Sequence, residues 1–259
     1  MTLYDRTGFS YDTTRRADPY LAGRLSALLG ITANGTYLDI ACGTGNYTAV
    51  VARQGGQWHG VDFSTRMLNN ALGKSRSIQW TKADAHHLPL VDKAFSGAMC
   101  TLALHNFRDL AAAFKETYRV LISGKFLIFT TTPDQMRGYW LNEYFRDAMA
   151  KATQQMPALD LVLEALKDAG FSYVETEFYQ VSPGLQYLFL YSGKHRPEVY
   201  LDPEIREGIS AFSSLADPSE VEEGCRRLSE DIQSGQIGRV MRDYENSGGD
   251  YLFVIAEKP

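Results

Sequence analysis

The chain contains 259 residues, of which 44% are hydrophobic and 22% are charged. This balance is that of an ordinary globular protein, and it excludes a disordered or fibrous chain. The formal net charge is −5, so the composition offers no general attraction for nucleic acid. None of the three cysteines belongs to a C-x-x-C pair, which disfavours both a disulfide framework and a thiolate zinc site.

The amino-terminal sequence and the apolar runs bear on localisation. The first sixteen residues contain acids and no apolar stretch, so we do not expect a secretory signal. The apolar runs end well short of the ~20 residues that a membrane-spanning helix needs. We therefore expect a cytoplasmic protein with no membrane partner.

Strand and helix patterns alternate between about residue 36 and residue 131. Short apolar or β-branched runs predict strands at 36–41, 57–62, 77–82, 95–104 and 125–131. Helical patterns fill the gaps, at 46–54, from Ser64 (a predicted N-cap) onward, and at 110–121. Strands that alternate with helices in this way predict a parallel sheet with right-handed crossovers.

The rhythm changes after residue 133. Helical patterns are predicted at 134–152, 158–168 (ended by Gly170), 203–214 and 219–234, and strands at 171–181 and 250–256. The segment between the last two strands is too long for a loop, so it is predicted to be an inserted helical cap.

The predicted fold is α/β: a doubly wound, mostly parallel, seven-stranded Rossmann-like sheet with an inserted helical cap. The predicted cofactor-binding α/β domain comprises residues 1–133, 157–181 and 249–259. The predicted cap, which is also the predicted acceptor region, comprises residues 134–156 and 182–248.

A glycine-rich turn joins the first predicted strand to a helix, in the sequence DIACGTG that begins at Asp39. Gly43 and Gly45 allow the backbone to approach a ligand closely, and the helix N-terminus offers N–H groups to it. A nucleotide-type cofactor is therefore expected here. The dinucleotide fingerprint needs a third glycine where Thr48 stands, which disfavours NAD.

Two carboxylates follow the next two strands. Asp62 ends the second strand, where it can accept hydrogen bonds from ribose hydroxyls, and Asp84 follows the third, where it can accept from an adenine amino group. With the glycine turn, these groups would hold an adenosine from three strand ends.

The sequence DIACGTGNY resembles the first signature of class I S-adenosylmethionine-dependent methyltransferases of the type-11 (ubiquinone/menaquinone-biosynthesis-like) group. The resemblance continues through GVDFSTRML, ADAHHLPLVDKAFSGAMC and LALHNFRD, and it covers about residues 11–131. Two departures are visible. Ala41 stands where glycine is usual, and residues 123–125 (SGK) replace the usual Pro-Gly-Gly.

The resemblance implies S-adenosylmethionine as the cofactor and methyl transfer to a small-molecule acceptor as the activity. It implies that Asp39 holds the cofactor's amino group and that Asp62 binds its ribose hydroxyls. The other cofactor contacts that it implies are Tyr11, Arg16 (or Arg15), Ala41, Gly43, Gly45, Phe63, Met67, Asp84, Ala85, Thr101 and Leu102.

Methyl transfer by in-line displacement requires alignment of the acceptor and no metal ion, so no metal site is expected. His105 lies just past the fourth strand, as either a general base or an orienting residue. A set of aromatic residues in the cap is predicted first to be part of the hydrophobic core, although some of them could form the wall of an acceptor pocket. The candidates for that wall are Tyr139, Trp140 and Tyr144.

Alternative functions stay open at this point. A non-catalytic S-adenosylmethionine-binding regulator would use the same scaffold. A nucleic-acid methyltransferase would need a basic face, which the composition does not supply. Residues 194–196 (KHR) form a small basic cluster, which is predicted to be solvated surface; the alternative is a site for an acidic acceptor.

Overall fold

The computed structural model describes residues 16–259. Within them, seven strands form a single sheet: β1 (Thr36–Ile40), β2 (Gln57–Asp62), β3 (Gln79–Lys82), β4 (Phe95–Thr101), β5 (Leu121–Thr130), β6 (Tyr173–Tyr179) and β7 (Tyr251–Lys258). Their order across the sheet is β3-β2-β1-β4-β5-β7-β6. The first five strands are parallel, whereas β7 runs antiparallel to both of its neighbours. The predicted mostly parallel, Rossmann-like sheet is confirmed.

The helices are α1 (Pro19–Leu29), α2 (Asn46–Val51), α3 (Thr65–Lys74), α4 (Leu110–Val120), α5 (Pro133–Arg137), α6 (Arg146–Gln155), α7 (Leu159–Ala169), α8 (Pro203–Glu207), α9 (Pro218–Ser234) and α10 (Ile237–Asp243). Short 3₁₀ turns occur at Ala52–Gln54, Leu104–Asn106, Trp140–Glu143 and Pro197–Leu201, and a π-helical turn occurs at Ala211–Leu215.

Both faces of the sheet are covered, and this explains why its central strands are apolar on both sides. Tyr37 and Leu38 are adjacent on β1 and point into different clusters of buried side chains. The Tyr37 cluster includes residues of α1, α2 and the cap, and the Leu38 cluster includes residues of α4 and α7. With both faces covered, the carboxyl ends of β1 to β4 are where a ligand can reach the sheet.

Local capping rules hold at several helix ends. The Ser64 side chain accepts a hydrogen bond from the Met67 backbone N–H at 3.3 Å, so α3 begins where the sequence predicts. Gly170 ends α7 at a φ of 108°, a left-handed conformation that favours glycine. These boundaries depend on neighbouring residues only.

The single helix predicted at 134–152 is wrong, because the chain breaks between α5 and α6. The side-chain amide of Asn142 donates to the carbonyl oxygens of Met136 at 2.8 Å and Tyr139 at 2.6 Å. The break therefore keeps its carbonyl groups hydrogen-bonded without a continuous helix. Trp140 and Tyr144 do not lie on one helix, although their rings are 6.0 Å apart.

The second part of the cap also departs from the prediction. The helix predicted at 203–214 ends at Glu207 and is followed by the π-helical turn, while α10 was not predicted. The two cap segments are joined, since the Glu220 carboxylate of α9 accepts from the backbone N–H groups of Asp147 at 2.7 Å and Ala148 at 3.1 Å. Glu220 thereby caps α6, which lacks a capping side chain of its own.

Between residues 16 and 259, no helix is both long enough and apolar enough to cross a membrane.

Candidate active site

A cavity of about 570 Å³ opens where the carboxyl ends of β1 to β4 meet, and it continues beneath the cap. This volume lies in the range of small-molecule sites. The predicted cofactor residues among its lining are Ala41, Gly43, Asp62, Phe63, Met67, Asp84, Ala85, Thr101 and Leu102. We call this part, formed by the strand ends, the sheet end of the cavity.

The two glycines of the turn have different structural roles. Both have a positive φ, 55° at Gly43 and 69° at Gly45. A Cβ added at Gly45 would lie 2.4 Å from the Trp80 ring, so packing within the protein excludes it. A Cβ added at Gly43 would have no neighbour within 4 Å among the described atoms, and Gly43 lines the cavity. Gly43 therefore keeps open a space that a ligand can occupy.

Backbone strain is concentrated at the same edge of the sheet. Ala41 and Leu102 have φ values of 56° and 52°, in the left-handed region that is unfavourable for residues with a side chain. Both residues line the cavity, at the ends of β1 and β4. The Leu102 backbone N–H donates to the Phe129 carbonyl oxygen at 2.8 Å, which helps hold the strained turn. Such strain is characteristic of functional sites.

Asp62 joins the glycine turn to the end of β2. Its two carboxylate oxygens accept hydrogen bonds from the backbone N–H groups of Gly43 and Ser64, each at 2.8 Å. Burial raises the pKa of Asp62, and these backbone hydrogen bonds oppose the increase. Each oxygen has a further lone pair, so the carboxylate can also accept from the hydroxyls of a sugar.

Asp39 is a buried carboxylate behind the glycine turn, with 1% of its surface exposed. One oxygen accepts from the Thr48 hydroxyl at 2.5 Å, and the other has no hydrogen-bond partner among the described residues. Burial raises the pKa of Asp39 to about 7; the Thr48 hydrogen bond lowers it and the charge of Asp62 adds to the increase. A buried oxygen without a partner is costly unless a ligand donates to it.

Asp84 is held by the loops that follow β3 and β4. Its carboxylate accepts from the His86 backbone N–H at 3.0 Å, contacts the His86 imidazole, and pairs with the Arg108 guanidinium at 3.0 Å. Burial alone would raise the pKa of Asp84, but the His86 hydrogen bonds and the Arg108 charge lower it. No group of three or more metal-ligating side chains occurs among residues 16–259.

His105 lies in the 3₁₀ turn after β4 and lines the cavity as a half-buried side chain. Its Nε2 atom is 3.3 Å from the side-chain nitrogen of Asn106. The imidazole thus lines the cavity directly after the end of β4.

Some predicted site residues lie elsewhere. Tyr11 is outside the described residues, and Arg16 is exposed and does not line the cavity. The three candidates for the acceptor wall are also absent from its lining, since Tyr139, Trp140 and Tyr144 are 2%, 2% and 3% exposed. Their burial fits the core role that the sequence favoured first.

Comparisons with known proteins agree with this geometry. A methyltransferase-domain family model matches residues 38–129, from β1 to β5. The malonyl-[acyl-carrier protein] O-methyltransferase of Hamiltonella defensa is 28% identical over 130 residues, which are 50% of each chain. The demethylmenaquinone methyltransferase of Lactiplantibacillus plantarum is 36% identical over 120 residues, 42% of this chain and 51% of that protein. The chain thus spans about half the length of these curated relatives.

Solved structures extend the similarity to the cap. A chain from Anabaena variabilis, described as a methyltransferase from an antibiotic biosynthesis pathway, superposes with a TM-score of 0.85 at 29% identity. That alignment covers 94% of this chain and 98% of the other. Residues 38–129 thus match the methyltransferase-domain family, and these comparisons agree with the resemblance to class I S-adenosylmethionine-dependent methyltransferases of the type-11 group. Phosphoethanolamine N-methyltransferase 2 of Haemonchus contortus, solved with S-adenosyl-L-methionine, shares the fold at 20% identity, with a TM-score of 0.64 over 100% of this chain and 60% of that one.

The sheet end of the cavity fits S-adenosylmethionine, the cofactor that the resemblance implies. The unpartnered oxygen of Asp39 is suited to a cationic amino group, and the space at Gly43 admits a ligand against the backbone. Asp62 supplies a carboxylate oriented by two backbone hydrogen bonds. The donor set is therefore consistent with an adenosine that carries an amino acid chain.

The cap end of the cavity comprises the lining residues that follow β5 in the chain. Most of them are apolar or carry a hydroxyl group, whereas Gln155 carries an amide and Glu207 a carboxylate. They are Thr131, Met136, Ala152, Gln155, Met156, Tyr187, Phe189, Leu190, Glu207, Gly208, Ile209, Ser210, Ala211, Ser213, Ser214 and Tyr251. The sequence named Tyr139, Trp140 and Tyr144 as candidates for an aromatic wall, but the aromatic residues that line this end are others. Tyr187 and Phe189 line the cavity, whereas Tyr191 on the same segment does not.

A tethered segment, residues 180–196, carries the aromatic part of this wall, and we call it the strap. The buried Asp250 carboxylate accepts from the Val181 backbone N–H at 2.7 Å and pairs with the Lys194 ammonium at 2.7 Å. The Arg196 guanidinium donates to the Leu185 carbonyl oxygen at 2.8 Å. The basic cluster at 194–196 was predicted to be solvated surface; this is wrong for Lys194 and Arg196, whose charged groups bind within the protein.

The strap is also held from the amino-terminal side. The Asp18 side chain accepts from the Leu21 backbone N–H at 2.9 Å, which caps α1. Its other oxygen accepts from the Gln186 backbone N–H at 3.0 Å. The residue before Tyr187 is thereby tied to the start of α1. The sequence contained no local signal for this contact, because the two positions lie 168 residues apart.

Proposed function

We propose that this chain transfers the methyl group of S-adenosylmethionine to a small-molecule acceptor that enters the same cavity beneath the cap. The observation that carries the proposal is the continuity of the cavity. One end holds the carboxylates and glycine turn suited to the cofactor, and the other end is walled by apolar and hydroxyl side chains. A single cavity brings the two reactants together away from bulk water.

We assign the sheet-end roles as the resemblance implies them. Asp39, whose unpartnered oxygen lies behind the glycine turn, would accept from the amino group of the cofactor, Asp62 from the ribose hydroxyls, and Asp84 from the adenine edge. When bound, S-adenosylmethionine supplies an electrophilic methyl group, so the protein needs mainly to align the acceptor with it. Gly43 leaves the room that this alignment requires.

We propose that His105 contacts the acceptor, where it would either remove a proton as a general base or orient the acceptor through a hydrogen bond. Its imidazole lines the cavity at the sheet end, and histidine is the side chain that most often serves as a general base. A role in orienting the acceptor uses the same position and differs in its effect on the pH profile.

The cap, residues 134–156 and 182–248, is the proposed acceptor region. It contributes most of the cap end of the cavity. Tyr139, Trp140 and Tyr144 would support the wall from behind instead of touching the acceptor. The cytoplasmic location and the lack of a nucleic-acid partner stay predictions from the composition.

The proposal is tested by calorimetry with S-adenosylhomocysteine and a matched pair of glycine variants. Gly43 and Gly30 both have a positive φ and open space around an added Cβ, but Gly30 caps α1 away from the cavity. Gly43→Ala should weaken binding at least 10-fold, because the added methyl group occupies ligand space. Gly30→Ala should lower the free energy of unfolding by a similar amount, about 1 kcal/mol, because alanine is strained at a positive φ. Its affinity for S-adenosylhomocysteine should not change.

Equal affinities for the two variants would contradict the proposed cofactor position. Failure of the wild-type protein to bind S-adenosylhomocysteine, or equally tight binding of NAD, would contradict the function itself. A cofactor-turnover assay with a panel of acceptors then separates a methyltransferase from a non-catalytic S-adenosylmethionine-binding regulator.

A further inference from the structure

The cap end of the cavity has an aromatic wall. Tyr187, Phe189 and Tyr251 all line it, with ring centroids 5.1 Å apart for the first pair and 4.8 Å apart for the second. The rings of Phe189 and Tyr251 are perpendicular. A further ring placed against such a set gains favourable edge-to-face or offset-stacked contacts.

Two methionines add to the apolar character of the cap end. Met136 is 2% exposed, Met156 is partly buried, and both line the cavity. Thioether sulfur makes favourable contacts with aromatic rings, and the flexible side chain adapts to irregular shapes. The apolar lining thus suits a flat ring better than a strongly hydrated group.

The polar groups of the cap end are mostly hydroxyls. Ser210, Ser213 and Ser214 line the cavity around the π-helical turn. The Ser213 hydroxyl contacts the Ile209 carbonyl oxygen at 3.3 Å and the Ser214 hydroxyl at 3.4 Å, and each hydroxyl keeps capacity for another hydrogen bond. They can bind a neutral hydroxyl or carbonyl group of an acceptor.

The charge of the cap end is negative. Among its described lining residues, Glu207 is the one charged side chain. Arg108 also lines the cavity, but at the sheet end, where it pairs with Asp84. The Glu207 side chain is exposed to solvent, which partly screens its charge. An acidic group brought against the apolar lining would nevertheless lose hydration and lie near a like charge, with no described lysine or arginine in that lining to compensate.

The wall is organised before the acceptor arrives. Phe189 and Tyr187 lie on the strap, which Asp250 holds through Val181 and Lys194. Because these residues are already held in place by hydrogen bonds, little conformational entropy is lost when an acceptor binds. The shape of the wall therefore determines which acceptors bind well.

We propose that the cap end receives an uncharged, ring-containing methyl acceptor, and that Glu207 selects against acceptors with an acidic group. The inference rests on the proposed function, because the same cavity must hold the cofactor at its sheet end. It also distinguishes this chain from a methyltransferase that would recognise its acceptor through a carboxylate or phosphate.

A matched pair of probes tests the inference without knowledge of the natural acceptor. N-phenyl-1-naphthylamine is uncharged, and 8-anilinonaphthalene-1-sulfonate has the same rings with one added sulfonate. Fluorescence titrations use the full chain saturated with S-adenosylhomocysteine. The uncharged probe should bind at least 10-fold more tightly, and Glu207→Gln should narrow that ratio several-fold.

Two exposed serines provide the control for the binding location. Ser213 lines the cavity, whereas Ser234 lies at the end of α9 and does not. Ser213→Trp should lower the affinity for the uncharged probe at least 10-fold, and Ser234→Trp should leave that affinity unchanged.

Each other outcome overturns the inference. Equal binding of the two probes, tighter binding of the sulfonate, or failure of the uncharged probe while S-adenosylhomocysteine is bound would each do so, and so would equal effects of the two tryptophan variants. Loss of S-adenosylhomocysteine binding itself would instead count against the proposed function, so the two failures are distinguishable.

Discussion

Replacing Asp250 by asparagine removes the charge that holds the strap while preserving the size of the side chain. The Asp250 side chain is 5% exposed and the Lys194 side chain 25% exposed. The carboxylate makes contacts of 2.8 and 2.7 Å with the Lys194 ammonium, and it accepts from the Val181 backbone N–H at 2.7 Å. Asparagine can keep the Val181 contact, since it retains one carbonyl oxygen, but it cannot pair with the ammonium.

The expected loss follows from the burial. Breaking a buried ion pair costs about 3–5 kcal/mol, and a hydrogen bond to a charged group contributes about 1.5–3 kcal/mol. Lys194 is partly exposed and can regain some hydration, so we expect a loss at or below the lower limit for a buried ion pair. We expect Asp250→Asn to lower the free energy of unfolding by about 2–3 kcal/mol.

A more exposed ion pair near the same end of the sheet provides the matched control. Arg24 and Glu177, on β6, are 2.5 Å apart, with side chains 33% and 40% exposed. Glu177→Gln should therefore cost less than about 1 kcal/mol. Urea denaturation of both variants measures the difference, and titration with N-phenyl-1-naphthylamine tests the strap directly. Asp250→Asn should weaken that probe and leave S-adenosylhomocysteine binding near wild type.

A loss for Asp250→Asn within 0.5 kcal/mol of the loss for Glu177→Gln would refute the argument from burial. Unchanged probe binding, despite the full loss of stability, would refute the argument that the tether shapes the acceptor wall.

Three further predictions concern the sheet end. Burial raises the pKa of Asp39 to about 7, so this group contributes fully to the free energy of unfolding below pH 4, and the contribution is lost as the pH rises to about 7. Asp39→Asn should therefore flatten the dependence of the free energy of unfolding on pH over that range. Denaturation at several pH values measures this. Ala41→Gly should raise the melting temperature by about 2 °C, because it relieves strain at a φ of 56°, and an unchanged or lower value in a thermal melt would contradict this. His105→Ala should lower turnover at least 10-fold while S-adenosylhomocysteine affinity stays near wild type; His105→Gln, which keeps a hydrogen-bonding group, should recover activity only if His105 orients the acceptor, and an unchanged rate in both would exclude either role.

The sheet and its cofactor edge could be predicted because their signals are local. Gly43 and Asp62 are 19 residues apart, yet each is identified by its own place at a strand end. Parallel strands align these ends at one edge of the sheet, so residues recognised separately come together without any further information. The short-range rules at Ser64 and Gly170 succeed for the same reason.

The acceptor wall could not be predicted to the same level. Tyr187 lines the cavity and Tyr139 is buried in the core, although both are aromatic residues of the cap. Their different surroundings depend on where the chain breaks, and the break between α5 and α6 is maintained by Asn142 through contacts that a helical pattern does not reveal.

By itself, the sequence determined the alternation of strands and helices from β1 to β5, the position of the glycine turn and the carboxylates at the strand ends, because each depends on a few neighbouring residues. The tertiary structure alone decided which cap residues face the cavity, that Lys194 pairs inside the protein, and that Asp18 reaches the strap. These contacts join positions as far as 168 residues apart. Their stability comes from burial and from the pairing of charges after the chain has folded, and neither can be read from local periodicity.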